Sequence, residues 1–424
     1  EQVQYYLNKE NIATGTITAS INEISVSNNL DKPNAITSNG EATLITYKDA
    51  TNVRFKVTNV VKPEGANVKV WAMDTVGNVW DMVTEGWGPA EGFSAPAKYS
   101  ATTPFQIVAD KTGEYKATIE LYEVNGNVLV SYDIQFEVIN SINIDGVDYS
   151  FETYNELFAK LPANTKASIE LSENINESLV IPENIEVVLN LNGNTITGNK
   201  AITNNGTLSI INGKISTPNN AIVNTGTIKE ITNVEVSSDW TGINNSGTIE
   251  KIENSKIEAR MYPIYQENGS IGELANNEII GHYITAIYLA ETSTITKITS
   301  GSYITYGDKP DQGNSVAGFG LYVGSKSVVE EIAGGTFQGN KSAVANYGTI
   351  NKISSGEFLE KMQNDVWAYS STFLYSGKVL SITGGRFYSY NGNTNGIFEG
   401  KGTLAEGYEF IETSDNYFEV KKQN

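Results

Sequence analysis

One short phrase is written again and again along this chain, and it limits the possible folds more than any other feature. Between Gly206 and Ile257 it reads GTLSIINGKIS, then GTIKEITNVEV, then GTIEKIENSKI, at spacings of 20 and 21 residues. With the opening Gly or Ser as the mark, the phrase recurs at Gly206, Gly226, Gly247, Gly269, Ser293, Ser327, Gly348 and Gly377, and opens once more at Gly402. The spacings between the first eight marks are 20, 21, 22, 24, 34, 21 and 29 residues. Self-similarity in this range signals a stacked repeat, whose units each bury an apolar face on their neighbours.

Apolar positions are fixed within the phrase. Two residues after the mark come Leu208, Ile228, Ile249, Ile271, Ile295, Val329, Ile350 and Val379. Next come Ile211, Ile231, Ile252, Leu274, Ile298, Ile332, Ile353 and Ile382, and then Ile215, Val236, Ile257, Ile279, Tyr303, Phe337, Phe358 and Phe387. A last short segment, just before the next mark, holds Ile202, Ile222, Ile243, Ile264, Ile287, Leu321, Val344, Phe373 and Ile397. These segments are short, β-branched or aromatic, and divided by Gly, Asn and Ser, which is strand-and-turn chemistry. Three short strands per unit make one triangular coil of a right-handed parallel β-helix. Coils stacked at about 4.8 Å would build a rod of roughly 45 Å from nine or ten of them. One coil cannot bury enough to fold alone, so stability is collective. Asn204, Asn224, Asn245 and Asn346, each two before a mark, are expected to form a stacked amide ladder.

Ahead of the repeats, residues from about 40 to 139 alternate polar and apolar in short runs, among them NVRFKVTNV, NVKVWAMD and EYKATIELYEV. This pattern predicts an Ig-like β-sandwich over 1–140, with a hairpin at Asn125-Gly126. Tyr115, after the loop Asp110–Gly113, has the setting of a tyrosine corner, in which the phenol bonds back to that loop. Trp71, Trp80, Trp87 and Phe93 crowd one stretch and could pack inward or stack on sugar rings. The second domain, 141–424, is expected to open with a capping helix over 150–161. Ser150 would be its N-cap, and Tyr154, Leu157, Phe158 and Leu161 its apolar face. Coils would follow over about 165–400, and a closing hairpin over 403–421.

Composition narrows the function classes. The net charge of −20, with only three Arg, disfavours nucleic acid and anionic membrane as partners. No apolar run is long enough to insert in a membrane. Cysteine is absent, so disulfides and thiolate metal sites are excluded. No metal-ligand spacing, phosphate loop or nucleophile elbow appears, and no metal or other cofactor is expected. Glu1 in place of Met is expected of a processed or artificial start, with any signal peptide upstream, and no sorting motif closes the chain at Lys422-Gln423-Asn424. Nothing in the sequence sets an oligomeric state.

The stretch SFETYNELFAKLPANTKASIELSENI, the LNGNTI coil, the IAGGTF and ITGGRF turns and the closing LAEGYEFIETSDNYFEV resemble secreted or wall-associated, pectate-lyase-like β-helix proteins of Gram-positive gut-type bacteria. The resemblance covers about 145–420. It implies a capped right-handed β-helix and an extracellular, secreted or cell-wall location. It implies no single activity, since the fold hosts lyases, hydrolases, adhesins and tailspikes.

Coil-length variation points to a binding face. The extra residues fall mostly after the third apolar position, in SSDWT, ARMYP, GHYIT, TYGDKPDQGNSVAGF, LEKMQNDVWAYSS and YSYNGNTN. Insertions at one corner of a solenoid line up on one side. They gather Trp240, Arg260, Tyr262, His282, Tyr283, Tyr306, Asp308, Trp367, Tyr369 and Tyr390, aromatics beside polar groups that suit a host or bacterial polysaccharide. The expected role is that of an adhesin or glycan-binding module. As an enzyme, a lyase or glycoside hydrolase on the same face, the chain would use Asp308, Asp311 and Asp365. A lyase pattern of acidic ladder with Arg is missing around Arg260 and Arg386, and His282 stands in GHYIT without a second Gly. A third reading is a structural spacer with no ligand.

Overall fold

The computed structural model describes residues 140–290, 292–307, 318–362 and 371–424 and, ahead of them, 2–6, 16–20, 43–46, 53–73, 79–81, 83, 100–103, 105–109, 111, 113–123 and 128–138. Asn125-Gly126, Trp87 and Phe93 lie outside the described residues. The chain divides into two compact units, Glu1–Leu157 and Phe158–Asn424.

The strand pairs of the first unit are antiparallel. Gly113–Glu123 lies between Val53–Val61 and Val128–Val138 in one three-stranded sheet. Val68–Met73 lies between Val79–Asp81 and Phe105–Ala109 in another. Tyr115 is fully buried, and its hydroxyl donates to the Lys111 carbonyl at 2.7 Å. A buried phenol needs such a partner, and this one ties strand to loop. Trp71 is also buried, beside the Lys69–Asp81 ion pair of 2.6 Å, and so offers no face to a sugar.

The expected helix is shorter than 150–161. Phe151 ends the strand Val147–Phe151, and the helix runs Tyr154–Lys160. Thr153, rather than Ser150, caps it. Its hydroxyl accepts from the Glu156 amide at 3.2 Å, and the Glu156 carboxylate accepts from the Glu152 amide at 2.9 Å. Leu157, Phe158 and Leu161 are buried.

The second unit is a right-handed parallel β-solenoid of about 10 turns. Its first face runs from Lys166–Glu170 to Lys401–Leu404, all in parallel register. A second face, from Ile175–Asn176 to Arg386–Tyr388, merges with it because strands such as Thr207–Thr217 and Val328–Gly339 bend through the shared corner. The third face is a separate nine-stranded sheet from Leu179–Ile181 to Phe373–Leu374. The recurrent apolar side chains form columns inside. Leu208, Ile228, Ile249 and Ile271 are consecutive partners in one, and Ile202, Ile222, Ile243 and Ile264 in another, all fully buried.

One position corrects the sequence register. Ile210, not Ile211, is buried and pairs with Ile231, because the register slips between Leu208 and Ser209. The later coil carries one more residue there, Lys229, so counting from the mark puts Ile211 inside when it is half-exposed.

The asparagine ladder is an interior one. Asn204 donates to Asn224 at 2.7 Å and Asn224 to Asn245 at 2.7 Å, while Asn245 donates to Gln266. Each of the three amides also reaches backbone carbonyls, as Asn224 reaches Gly226 and Thr248. The ladder stops at Leu289 and Val323, which occupy the same column before Asn346. At the C-terminal end, Tyr408–Ser414 and Tyr417–Lys422 form an antiparallel hairpin that turns on Asp415 and Asn416, both with positive φ. Its second strand pairs antiparallel with Arg386–Tyr388, which ends the parallel stacking.

Candidate functional site

The three outer faces of the solenoid differ in charge. On the first, Glu230, Lys251, Glu273, Lys297, Glu331 and Lys352 are successive register partners and alternate in sign. Glu331 sits 3.6 Å from Lys297 and 3.0 Å from Lys352. Bonds from Ser354 and then Lys352 hold its carboxyl below the ordinary range. The second face repeats the device with Lys214, Glu235, Lys256 and Glu278, and again with Glu357, Arg386 and Glu419. Such columns satisfy themselves and leave little field for a partner.

On the third face the register partners that follow the inward column are Val180, Thr203, Val223, Asn244, Tyr265, Tyr288, Tyr322, Ala345 and Leu374, with no charged member and with only Ala345 and Leu374 buried. Its tyrosines stack along the axis. Tyr265 and Tyr288 lie 5.4 Å apart at 13°, and Tyr288 and Tyr322 lie 4.3 Å apart at 4°. The stripe continues through Tyr347, 5.5 Å from Tyr322, to Tyr375, 4.3 Å further at 12°. At its other end Tyr262 meets Tyr288 edge-on at 5.2 Å. Phe319, Ala345 and Leu374 form a buried apolar cluster beneath Tyr322 and Tyr375. Polar groups edge the stripe: Lys341 donates to the Tyr375 hydroxyl at 3.2 Å, and Glu399 accepts from the Tyr375 amide at 2.9 Å. An aromatic centre with a polar rim is the usual anatomy of a recognition surface. Partial burial, the largest cause, pushes the Tyr262, Tyr265, Tyr322 and Tyr347 phenols up from their ordinary value of 10.0, so at neutral pH they remain hydrogen-bond donors.

The corner expected from the long loops borders this stripe. Backbone bonds place its residues on successive coils: Arg260 N to Ser238 O at 3.1 Å, His282 N to Ala259 O at 3.2 Å, and Tyr306 N to Gly281 O at 3.0 Å. Met261 and Tyr262 both donate to the Trp240 carbonyl, at 2.9 and 3.3 Å. Trp240 is 52% exposed. The His282 ring stacks on Tyr306 at 5.8 Å and 28°, and its Nε2 shares a 2.8 Å hydrogen bond with Glu258 Oε1. That bond, more than the nearby Lys256, holds the Glu258 carboxyl below its usual range.

The structure therefore brings Trp240, Arg260, His282 and Tyr306 to one corner and ties Tyr262 to the tyrosine stripe. Tyr283, half-buried, follows His282 on that corner, while Tyr390 lies further along the axis, after Arg386–Tyr388. Asp308, Asp311, Asp365, Trp367 and Tyr369 lie outside the described residues. The sequence reading missed Tyr265, Tyr288, Tyr322, Tyr347 and Tyr375. A signal was present, since Tyr265, Tyr288 and Tyr322 each directly follow a member of the fourth apolar column, Ile264, Ile287 and Leu321. In a strand the residue after an inward one points out. Among the described residues no group of three His, Cys, Asp or Glu is placed to hold a metal ion. No protein-family model, curated protein or solved structure matches this chain.

Proposed function

We propose that this protein works outside the cell as an adhesin or glycan-binding module, and that it holds a neutral polysaccharide on the third face of its solenoid and the adjoining corner. The observation that carries this reading is the uncharged tyrosine column on a molecule of net charge −20. A neutral polymer meets no repulsion there, whereas polyanions and a second copy of the chain do. Tyrosine supplies rigid area with a polar tip and costs little side-chain entropy on binding. The Tyr115 to Lys111 bond supports an Ig-like reading of the first unit, which would then serve as a spacer or accessory module. The sequence resemblance to wall-associated, pectate-lyase-like proteins of Gram-positive bacteria supports the surface location.

The test is a pull-down on insoluble neutral and acidic polysaccharides, read alongside release of reducing ends or unsaturated products. Retention on at least one neutral polymer is expected. Tyr288→Ala and Tyr322→Ala should abolish it, and no product should form. Retention unchanged in both variants, or absent on every polymer, would sink the proposal. Turnover abolished by Asp308→Ala or Asp365→Ala would replace it with the enzyme reading.

A further inference from the structure

Resting on that glycan reading, we infer that the ligand is a linear chain lying along the solenoid axis, and that it is held by hydrogen bonds to ring edges and phenols rather than by stacking on ring faces. The stripe runs from Tyr265, with Tyr262 at its side, through Tyr288, Tyr322 and Tyr347 to Tyr375. Tyr265 to Tyr375 crosses four coil steps, about 19 Å at the ordinary interstrand spacing. A site that reads one terminal sugar is a closed pocket around it, whereas this one is a strip open at both ends.

The orientation of the rings settles how the strip can bind. Tyr265, Tyr288 and Tyr322 lie nearly parallel, at 13° and 4°, and face one another along the axis. Tyr347 and Tyr375 do the same at 12°. Their π faces are spent on each other, so solvent meets ring edges and hydroxyls. An aromatic edge is the positive part of the ring quadrupole, and a protonated phenol donates. The strip is therefore a row of donors on an apolar bed. It suits a chain that presents an acceptor oxygen at every step, such as the ring and bridging oxygens of a linear neutral glycan. Branches at each sugar would lift such a chain off the bed.

The experiment uses the full chain and calorimetric titration with β-1,4-linked glucose, mannose and xylose oligomers, from disaccharide to octasaccharide. For at least one series, affinity should climb with length and level off once the oligomer spans the stripe, with octasaccharide over disaccharide by about tenfold or more. Tyr265→Phe and Tyr375→Phe, which keep the rings and remove hydroxyls at the two ends, should weaken the octasaccharide and leave the disaccharide nearly unchanged. A disaccharide that binds as tightly as the octasaccharide would overturn the axial placement while leaving glycan binding intact. Length dependence that both Phe variants leave untouched would overturn the role of the hydroxyls. Failure of all three series to bind, together with loss of retention on every polymer, would remove the glycan reading and this inference with it.

Discussion

The two halves of the solenoid turn the same corner in different ways. Up to Ile279, the bend between the first and second faces is made by asparagine: Asn192, Asn212, Asn233, Asn254 and Asn276 all have φ between 49 and 59°. The interior column behind it is aliphatic, with Ile196, Ile215, Val236, Ile257 and Ile279. From Tyr303 onward the bend passes to Gly301, Gly335, Gly356 and Gly385, with φ between 95 and 123°, and the column becomes Tyr303, Phe337, Phe358 and Phe387. The corner residue and the core residue change together. Asparagine tolerates the left-handed region because its amide bonds locally, and here the outer amides also link coil to coil, as Asn233 does to Asn212 at 3.2 Å. The larger φ of the second half is open only to glycine. A Cβ on Gly335 would come within 2.9 Å of the Tyr303 ring, and one on Gly385 within 3.0 Å of the Phe387 ring. The second half thus gives up an outer amide ladder and gains an inner ring stack, with neighbours 4.8–5.2 Å apart.

The sharpest way to break this comparison is to empty the column on each side. Phe358→Ala should cost about 3–5 kcal/mol, and Ile257→Ala about 2–5 kcal/mol with the lower end expected, by urea unfolding. An equal loss at both sites would show that the stacked rings add nothing beyond volume. Exchanging the corners comes next. Gly335→Ala forces a Cβ toward a ring at a φ that alanine avoids and should cost more than about 2 kcal/mol, against about 1–2 kcal/mol for Asn233→Ala. A Gly335→Ala protein as stable as the parent would mean the corner relaxes freely. Smaller is the effect of Lys352→Glu, which sets a like charge against Glu331 in the alternating column; about 0.5–1 kcal/mol is expected, shrinking in high salt. Salt-independent loss would point to packing instead. The smallest effect concerns Glu258. Its carboxyl is held below 4.5, so the stability it gains is present above that value and is lost as the pH falls through the lowered one. The difference between the parent and Glu258→Gln should therefore shrink and vanish on acidification. A difference that persists in acid would assign it to something other than this charge.

Much of this was legible in advance, and the misses have physical causes. The mark, the inward columns and the amide ladder could be read because every coil repeats the same burial, and burial writes itself into residue type. Ile211 was misplaced because one extra residue in the neighbouring coil shifts the register, a change that a count from the mark cannot see. The expected helix starts too early because Ser150 also has the chemistry of an N-cap, yet Phe151 after it is paired in a strand with Asn140, and it is the Thr153 hydroxyl that caps the helix. On the outer surface, the sequence flagged loops of unequal length, whereas Tyr265, Tyr288 and Tyr322 sit on strands that are each five residues long and left no trace in coil spacing.

The sequence by itself determined that this chain winds into a solenoid, and which side chains fill it, because a repeat of apolar residues at fixed spacing has one economical way to be buried. Tertiary structure alone decided what the outside offers. Glu230 and Lys251, or Tyr288 and Tyr322, lie more than twenty residues apart in the chain and become neighbours only when coils stack in register. Stacking makes a neutralised column of the first pair and a strip of phenols of the second.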